Sequence, residues 1–140
     1  MYELIYYSIA PENTDEVTIA KILSDSREFN EKNNITGCLL YHSNQFLQIL
    51  EGDEQIVKAL FAKIEKDQRH TDVMLMNEGV KEERYFSGWN MAYHELTVTD
   101  FNALDKKLFI NNFSQLSDLV QKPSDVLRLF WYMSKTILQE

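Results

Sequence analysis

Residues 35–52 read ITGCLLYHSNQFLQILEG, two apolar runs joined at Ser43-Asn44. A turn-forming pair between two runs of strand formers predicts a β-hairpin. The second run alternates with period two, so Phe46, Gln48 and Leu50 share one face and Leu47, Ile49 and Glu51 share the other. Gln48 therefore interrupts an apolar strand face. A buried amide has two donors and two acceptor lone pairs to satisfy, and leaving one unmet costs about 1–3 kcal/mol. Something polar has to lie over the sheet at this point. A neighbouring side chain, a backbone group or a ligand would each serve, and the residue type alone leaves all three open.

The flanking segments predict what the hairpin packs into. Residues 2–8 (YELIYYS) read as a first strand, with Leu4, Tyr6 and Ser8 on one face and Ile5 and Tyr7 on the other. Pro11 ends it, and Asn13 followed by Glu16 is a capping-box-like helix start. That helix runs to about Lys32 with the stripe Ile19, Ile22, Leu23, Ser26, Asn30 and Asn33, apolar first and then polar. A second helix opens at Asp53-Glu54 and carries Ile56, Val57, Leu60, Phe61 and Ile64 on one side, up to Asp67. Residues 71–79 read as a fourth strand, 81–85 as a charged connection, and 88–96 (GWNMAYHEL) as a fifth strand with Trp89, Met91 and Tyr93 on one face.

The expected fold class is α+β. The order is ferredoxin-like, βαββαββ, with a mixed five-stranded sheet and two helices on one face. Both sheet faces carry large apolar residues, so C-terminal helices are expected to cover the other face. Ser124 caps a last helix over residues 125–138, and Val126, Leu127, Phe130, Trp131, Met133, Ile137 and Leu138 are more than one apolar face holds. That surplus predicts contact with its own sheet and with a second chain, with Phe130, Trp131 and Met133 as anchors. The expected division is a domain over residues 1–96 and a helical extension over 97–140, within one compact unit.

Composition narrows the function. A net charge of −8 argues against direct binding to nucleic acid or to an anionic membrane. There is no apolar run of 18 residues and no basic segment leading into an apolar stretch, so neither a membrane span nor a signal peptide is expected. Cys38 is the only cysteine, which fits a reducing cytoplasm, and its place in a strand reads as a small buried hydrophobe. Gly37, Gly52, Gly79 and Gly88 are too far apart for a phosphate-cradling loop. His42, His70 and His94 are scattered, so no metal site is expected. No serine or cysteine sits in a nucleophile elbow. An enzyme is not expected. What remains is a polar and aromatic set converging on one sheet face: Tyr6, Ser26, Asn30 and Gln48, with Asp67, Arg69 and His70 after the second helix.

The pieces ELIYYS, FNEKNNITGCLLY, QFLQILEG, AKIEKDQRH and FSGWNM occur in an order, over roughly two thirds of the chain, that resembles the BLUF domain, a small flavin-binding blue-light sensor. The closest form is the short type with a C-terminal helical extension and no attached catalytic domain. The resemblance implies non-covalent FAD between the two helices, its ring against the sheet. Tyr6 then matches the light-active electron donor, and Gln48 the glutamine linking it to flavin N5 and C4=O. Asn30 matches the asparagine at the flavin C4=O and N3–H edge, with Ser26 one turn before it on the same stripe. Asp67, Arg69 and His70 match the segment near the pyrimidine end, and Ile22 and Ile64 the clamps on the two ring faces. Trp89 and Met91 match a pair implicated in passing the signal outward. Phe29 and Lys63 depart from the family's usual residues, and Lys63 is still placed among the cofactor contacts.

The implied function is a photoreceptor. Light drives electron and proton transfer from Tyr6 and a hydrogen-bond switch of Gln48, which alters interaction with a downstream regulatory protein; a homo-oligomer through the C-terminal helices is also expected. Two other classes remain. A flavin-dependent oxidoreductase would need access to N5 and a nicotinamide site, and a ferredoxin-like adaptor domain would carry no cofactor.

Overall fold

In the computed structural model, residues 1–11, 14–42, 44–86 and 124–139 are described. The hairpin forms as β2 (Thr36–His42) and β3 (Gln45–Gly52), paired antiparallel with Leu39 opposite Gln48 and Tyr41 opposite Phe46. Asn44 turns the chain at φ 67°, a left-handed conformation that asparagine tolerates. The turn is tied to the end of the first strand, because the Ala10 N–H donates to the Asn44 carbonyl (2.9 Å) and Asn44 Nδ2 donates to the Ala10 carbonyl (2.6 Å).

β3 then pairs antiparallel with β1 (Tyr2–Ile9), placing Tyr6 opposite Gln48 and Leu4 opposite Leu50. The free side of β1 takes β4 (Thr71–Val80), again antiparallel, so the order is β2-β3-β1-β4. This is the ferredoxin-like arrangement. Among the described residues all three pairings are antiparallel, and the fifth strand on which a mixed sheet would depend is not among them. β1 and β2 run parallel across a helical crossover, but the hairpin inserts β3 between them and the parallel pair never meets. The expected fifth strand, with Trp89 and Met91, and the segments before residue 124 lie outside the described residues.

Each helix starts at a side-chain cap. The expected start at Asn13 lies outside the described residues; Asp15 caps α1 (Glu16–Lys32), accepting from the Thr18 N–H at 2.8 Å. Asp53 caps α2 (Glu54–Lys66) through the N–H groups of Gln55 and Ile56. Beneath these helices Tyr2, Leu4, Tyr6, Ile35, Leu50 and Val57 form one buried cluster, with Phe29, Leu60, Phe61 and Ile64 packed on it. Ile5, Leu40, Leu47 and Ile49 belong to a second cluster that also contains Val126, Leu127 and Phe130 of α3 (Asp125–Gln139). Ser124 caps α3 by accepting from the Leu127 N–H (3.1 Å) and donates to Glu3 Oε1 at 3.0 Å. Glu3 alternates with Tyr6's face of β1, so α3 begins on the opposite side of the sheet. Phe130 is 0% exposed within its own chain, which corrects its reading as an interface anchor; Trp131 and Met133 are half-buried and Tyr132 is exposed. The same 0% exposure explains the surplus in part, since this helix spends an aromatic on its own core. Among the described residues no helix is long and apolar enough to cross a membrane.

Candidate functional site

A cavity of about 160 Å³ lies between α1 and α2 over the central strands. Ile22, Ser26, Phe29 and Asn30 line it from α1, Leu60, Lys63 and Ile64 from α2, and Tyr6, Leu39 and Gln48 from the sheet. Asp67, Arg69 and His70 close one end, with Asp25 beside them. All ten residues expected to touch a cofactor are thus brought together, although they come from four separate stretches of chain. Trp89 and Met91 fall outside the described residues.

The polar partner that Gln48 required is first of all Tyr6. The two are cross-strand neighbours on the cavity face, and the Tyr6 hydroxyl donates to Gln48 Oε1. Tyr6 is 1% exposed, and burial together with the nearby Asp67 carboxylate pushes its phenol well above the ordinary range. It therefore holds its proton in the resting state. Its ring packs on Phe61 (centroids 5.5 Å) and meets His70 edge-on at 6.3 Å.

His70 is buried, with Nδ1 3.0 Å from Ser8 Oγ and its ring 4.6 Å from Phe46. Burial lowers its pKa to about 4; the Asp67 carboxylate opposes that shift and the Arg69 guanidinium adds to it. The imidazole is neutral when folded, whereas in the unfolded chain it titrates near 6.5. Between these values the unfolded state binds more protons, so stability is complete above about pH 6.5 and falls as pH drops towards 4. The full effect is about 3 kcal/mol. Urea midpoints from about pH 7 to about pH 4.5 should fall for the wild type and stay flatter for His70→Gln. Equal slopes would show that His70 is not held neutral.

Arg69 joins the two helical walls. Nε lies 3.0 Å from both Asp67 oxygens, Nη2 2.7 Å from Asp67 Oδ2, and Nη1 reaches Asp25 Oδ2 on α1 at 2.9 Å. The guanidinium holds both carboxylates below their ordinary range. Sequence reasoning missed Asp25, because four residues after Lys21 it reads as a solvated helix charge, and it does form that exposed pair. The two departures from the family pattern face each other: Lys63 Nζ sits 4.7 Å from the centre of the Phe29 ring, a cation–π contact between α1 and α2. Cys38 is buried, and burial pushes its thiol up, so it is a packing residue without a ready thiolate.

Fold and site together define a small α+β domain with a buried tyrosine–amide pair under an apolar-walled cleft. Residues 1–92 match the family described as "BLUF: Sensors of blue-light using FAD". The chain belongs to this BLUF family of blue-light sensors, whose defining cofactor is FAD. It is 39% identical over 83 residues to the photoactivated adenylate cyclase subunit alpha of Euglena gracilis, covering 59% of this chain and 8% of the relative. It is 32% identical over 130 residues to the subunit beta of Euglena longa, covering 89% and 15%. The chain thus spans well under a fifth of the length of these curated relatives. Among solved structures it resembles BlsA in its photo-activated state, with a TM-score of 0.68, 29% identity and coverage of 99% and 95%. It also resembles the dark state of BlrB, with a TM-score of 0.69, 25% identity and coverage of 96% of each chain.

Proposed function

We propose that this chain is a blue-light photoreceptor that binds FAD non-covalently in the cleft between α1 and α2 and switches through Tyr6 and Gln48. The observation that carries this reading is the buried hydrogen bond from the Tyr6 hydroxyl to Gln48 Oε1 on the cavity floor. The donor set suits a flat heterocycle with a polar rim: Ile22 and Ile64 offer apolar faces, while Asn30, Gln48, Arg69 and Ser26 offer hydrogen-bonding groups around them.

When bound, FAD supplies absorption of blue light and an excited state that takes an electron from a nearby donor. Tyr6 is a phenol already committed to one proton acceptor. Loss of an electron from its ring is matched by movement of the hydroxyl proton towards Gln48 Oε1, and both return in the dark. The Gln48 amide reverses its hydrogen-bond pattern by rotating or tautomerising without changing charge. Burial of Tyr6, Gln48 and Asn30 keeps water from competing for these bonds.

The same reading assigns residues 1–96 to the sensor domain and 97–140 to a helical extension. Within the sensor domain a fifth strand carries Trp89 and Met91, which relay the signal, and the extension covers the second sheet face. The chain itself is no enzyme. It acts in the cytoplasm on a downstream regulatory protein, with α3 forming a contact between copies through its half-buried Trp131 and Met133 and its exposed Tyr132. Neither nucleic acid nor membrane is a direct partner.

The test is purification from flavin-replete cells followed by illumination. The protein should carry one oxidised flavin per chain and show a small, reversible red shift under blue light. Colourless protein would leave the adaptor reading, and bleaching that needs a reductant would favour the oxidoreductase. Asn30→Ala should weaken flavin retention about 5- to 150-fold, because a buried amide contact is worth about 1–3 kcal/mol; equilibrium dialysis of the variant measures this.

A further inference from the structure

The sheet face away from the cavity holds a buried ionic cluster that the light reaction does not use. Glu3 on β1 and Glu51 on β3 are cross-strand partners, each three residues along its strand from Tyr6 and Gln48. Their side chains are 1% and 0% exposed. Two adjacent carboxylates in a dry layer repel one another and lose their hydration, so they persist only with cations and donors fixed around them. Lys81, which follows β4, supplies the cation: its side chain is 5% exposed and bridges Glu3 (3.3 Å) and Glu51.

Apart from a threonine hydroxyl on β2, the remaining donors come from segments outside the sheet. Glu51 accepts from the backbone N–H groups of Tyr85 (2.9 Å) and Phe86 (2.6 Å) and from Thr36 Oγ1 on β2 (2.6 Å). Arg84 donates to that same threonine hydroxyl at 2.7 Å. Glu3 accepts from Ser124, the residue that caps α3. Two carboxylates thus gather three strands, the segment at 84–86 and the start of the last helix. Stability alone is a weak reason for such a cluster, since apolar residues of the same shape commonly do as well. Buried ionic groups are best attested where they hold one arrangement against alternatives.

We propose that Glu3, Glu51 and Lys81 form the junction through which a change at Tyr6 and Gln48 reaches α3. This rests on the photoreceptor reading and names the route by which the output reaches α3, alongside the relay assigned to Trp89 and Met91. A rearranged Gln48 amide shifts β3 against β1. Glu51, on the same strand, transmits the shift to Tyr85 and Phe86, and through Lys81 and Glu3 to Ser124. Coupling of this kind needs a contiguous network with two arrangements, and the cluster is the contiguous part.

The experiment compares full-length, FAD-loaded wild type with Lys81→Met, which keeps the apolar stem and removes the cation, and with Ser124→Gly. Glycine retains most of the N-cap preference and loses only the tie to Glu3. Absorbance reads the light reaction, and hydrogen exchange of the α3 backbone amides, dark against lit, reads the output. In the wild type, α3 exchange should differ about fivefold between dark and light, the low end of ordinary coupling between sites. Both variants should keep the spectral shift and lose that difference. Ser124→Gly decides the matter if Lys81→Met does not fold. A variant with a normal shift and a full α3 response overturns the junction, as does a wild type whose α3 does not respond. A wild type without any spectral shift overturns the photoreceptor reading itself, so the two failures are distinguishable.

Discussion

Tyr6→Phe is expected to keep its flavin and lose the reversible blue-light shift. The phenylalanine ring retains the packing on Phe61 and His70, so the cavity keeps its shape. Only the hydroxyl goes, and with it the proton that Gln48 Oε1 receives. Without that proton an electron leaving the ring has no compensating transfer, and phenylalanine is a far poorer donor. Folding stability should fall by about 1–3 kcal/mol, because Gln48 is left with a buried acceptor unmet. Gln48→Leu should likewise retain the flavin and abolish the shift, since a leucine cannot exchange donor for acceptor. Light-minus-dark absorbance decides both, and a normal difference spectrum from Tyr6→Phe would sink the proposed mechanism.

Gly37→Ala should produce the largest loss of stability, at a position outside the cavity lining. A Cβ there would lie 2.0 Å from the Ile49 carbonyl oxygen and 3.2 Å from Leu50 Cα. These are backbone atoms of the paired strand, so no change of rotamer relieves the clash. β2 must move off β3 or slip in register. Overpacking costs about 1–3 kcal/mol where side chains can yield, and the upper end or more is expected here. Leu39, two residues along β2, faces Gln48 and lines the cavity, so flavin content should drop as well. Gly79→Ala is the control, since nothing lies within 4 Å of a Cβ at that position. Equal urea midpoints for Gly37→Ala and the wild type would show that the strands adjust freely.

Much of the site is legible in the amino-acid sequence, because its residues break patterns that are local. Gln48 stands out against Phe46 and Leu50, and Asn30 against Ile19 and Ile22, by counting two along a strand or three to four along a helix. The junction leaves a similar mark, although its residues were not among those expected to form a site: Glu3 shares a face with Ile5, and Glu51 with Ile49, and that face is otherwise apolar. Lys81 leaves none. In sequence it belongs to a run of charges, and its neighbours Glu82 and Glu83 are exposed as that run suggests. Asp25 is hidden for the same reason, because a carboxylate on a solvated helix stripe has no periodic anomaly to betray a partner across a cleft.

By itself, then, the sequence determined the order and type of the described strands and helices, which face of each is apolar, and which polar residues intrude on that face. The hairpin at 43–44, the caps at Asp53 and Ser124 and the Tyr6 and Gln48 faces all follow from contacts within a few residues. Tertiary structure alone decided who meets whom. Tyr6 finds Gln48 across 42 residues, Arg69 finds Asp25 across 44, and Ser124 finds Glu3 across 121. It also decided that β3 separates β1 from β2, which makes the described pairings antiparallel, and that Phe130 is spent on the chain's own core. The physical reason is that periodicity records the direction in which a side chain points, whereas strand order and helix placement set what it points at.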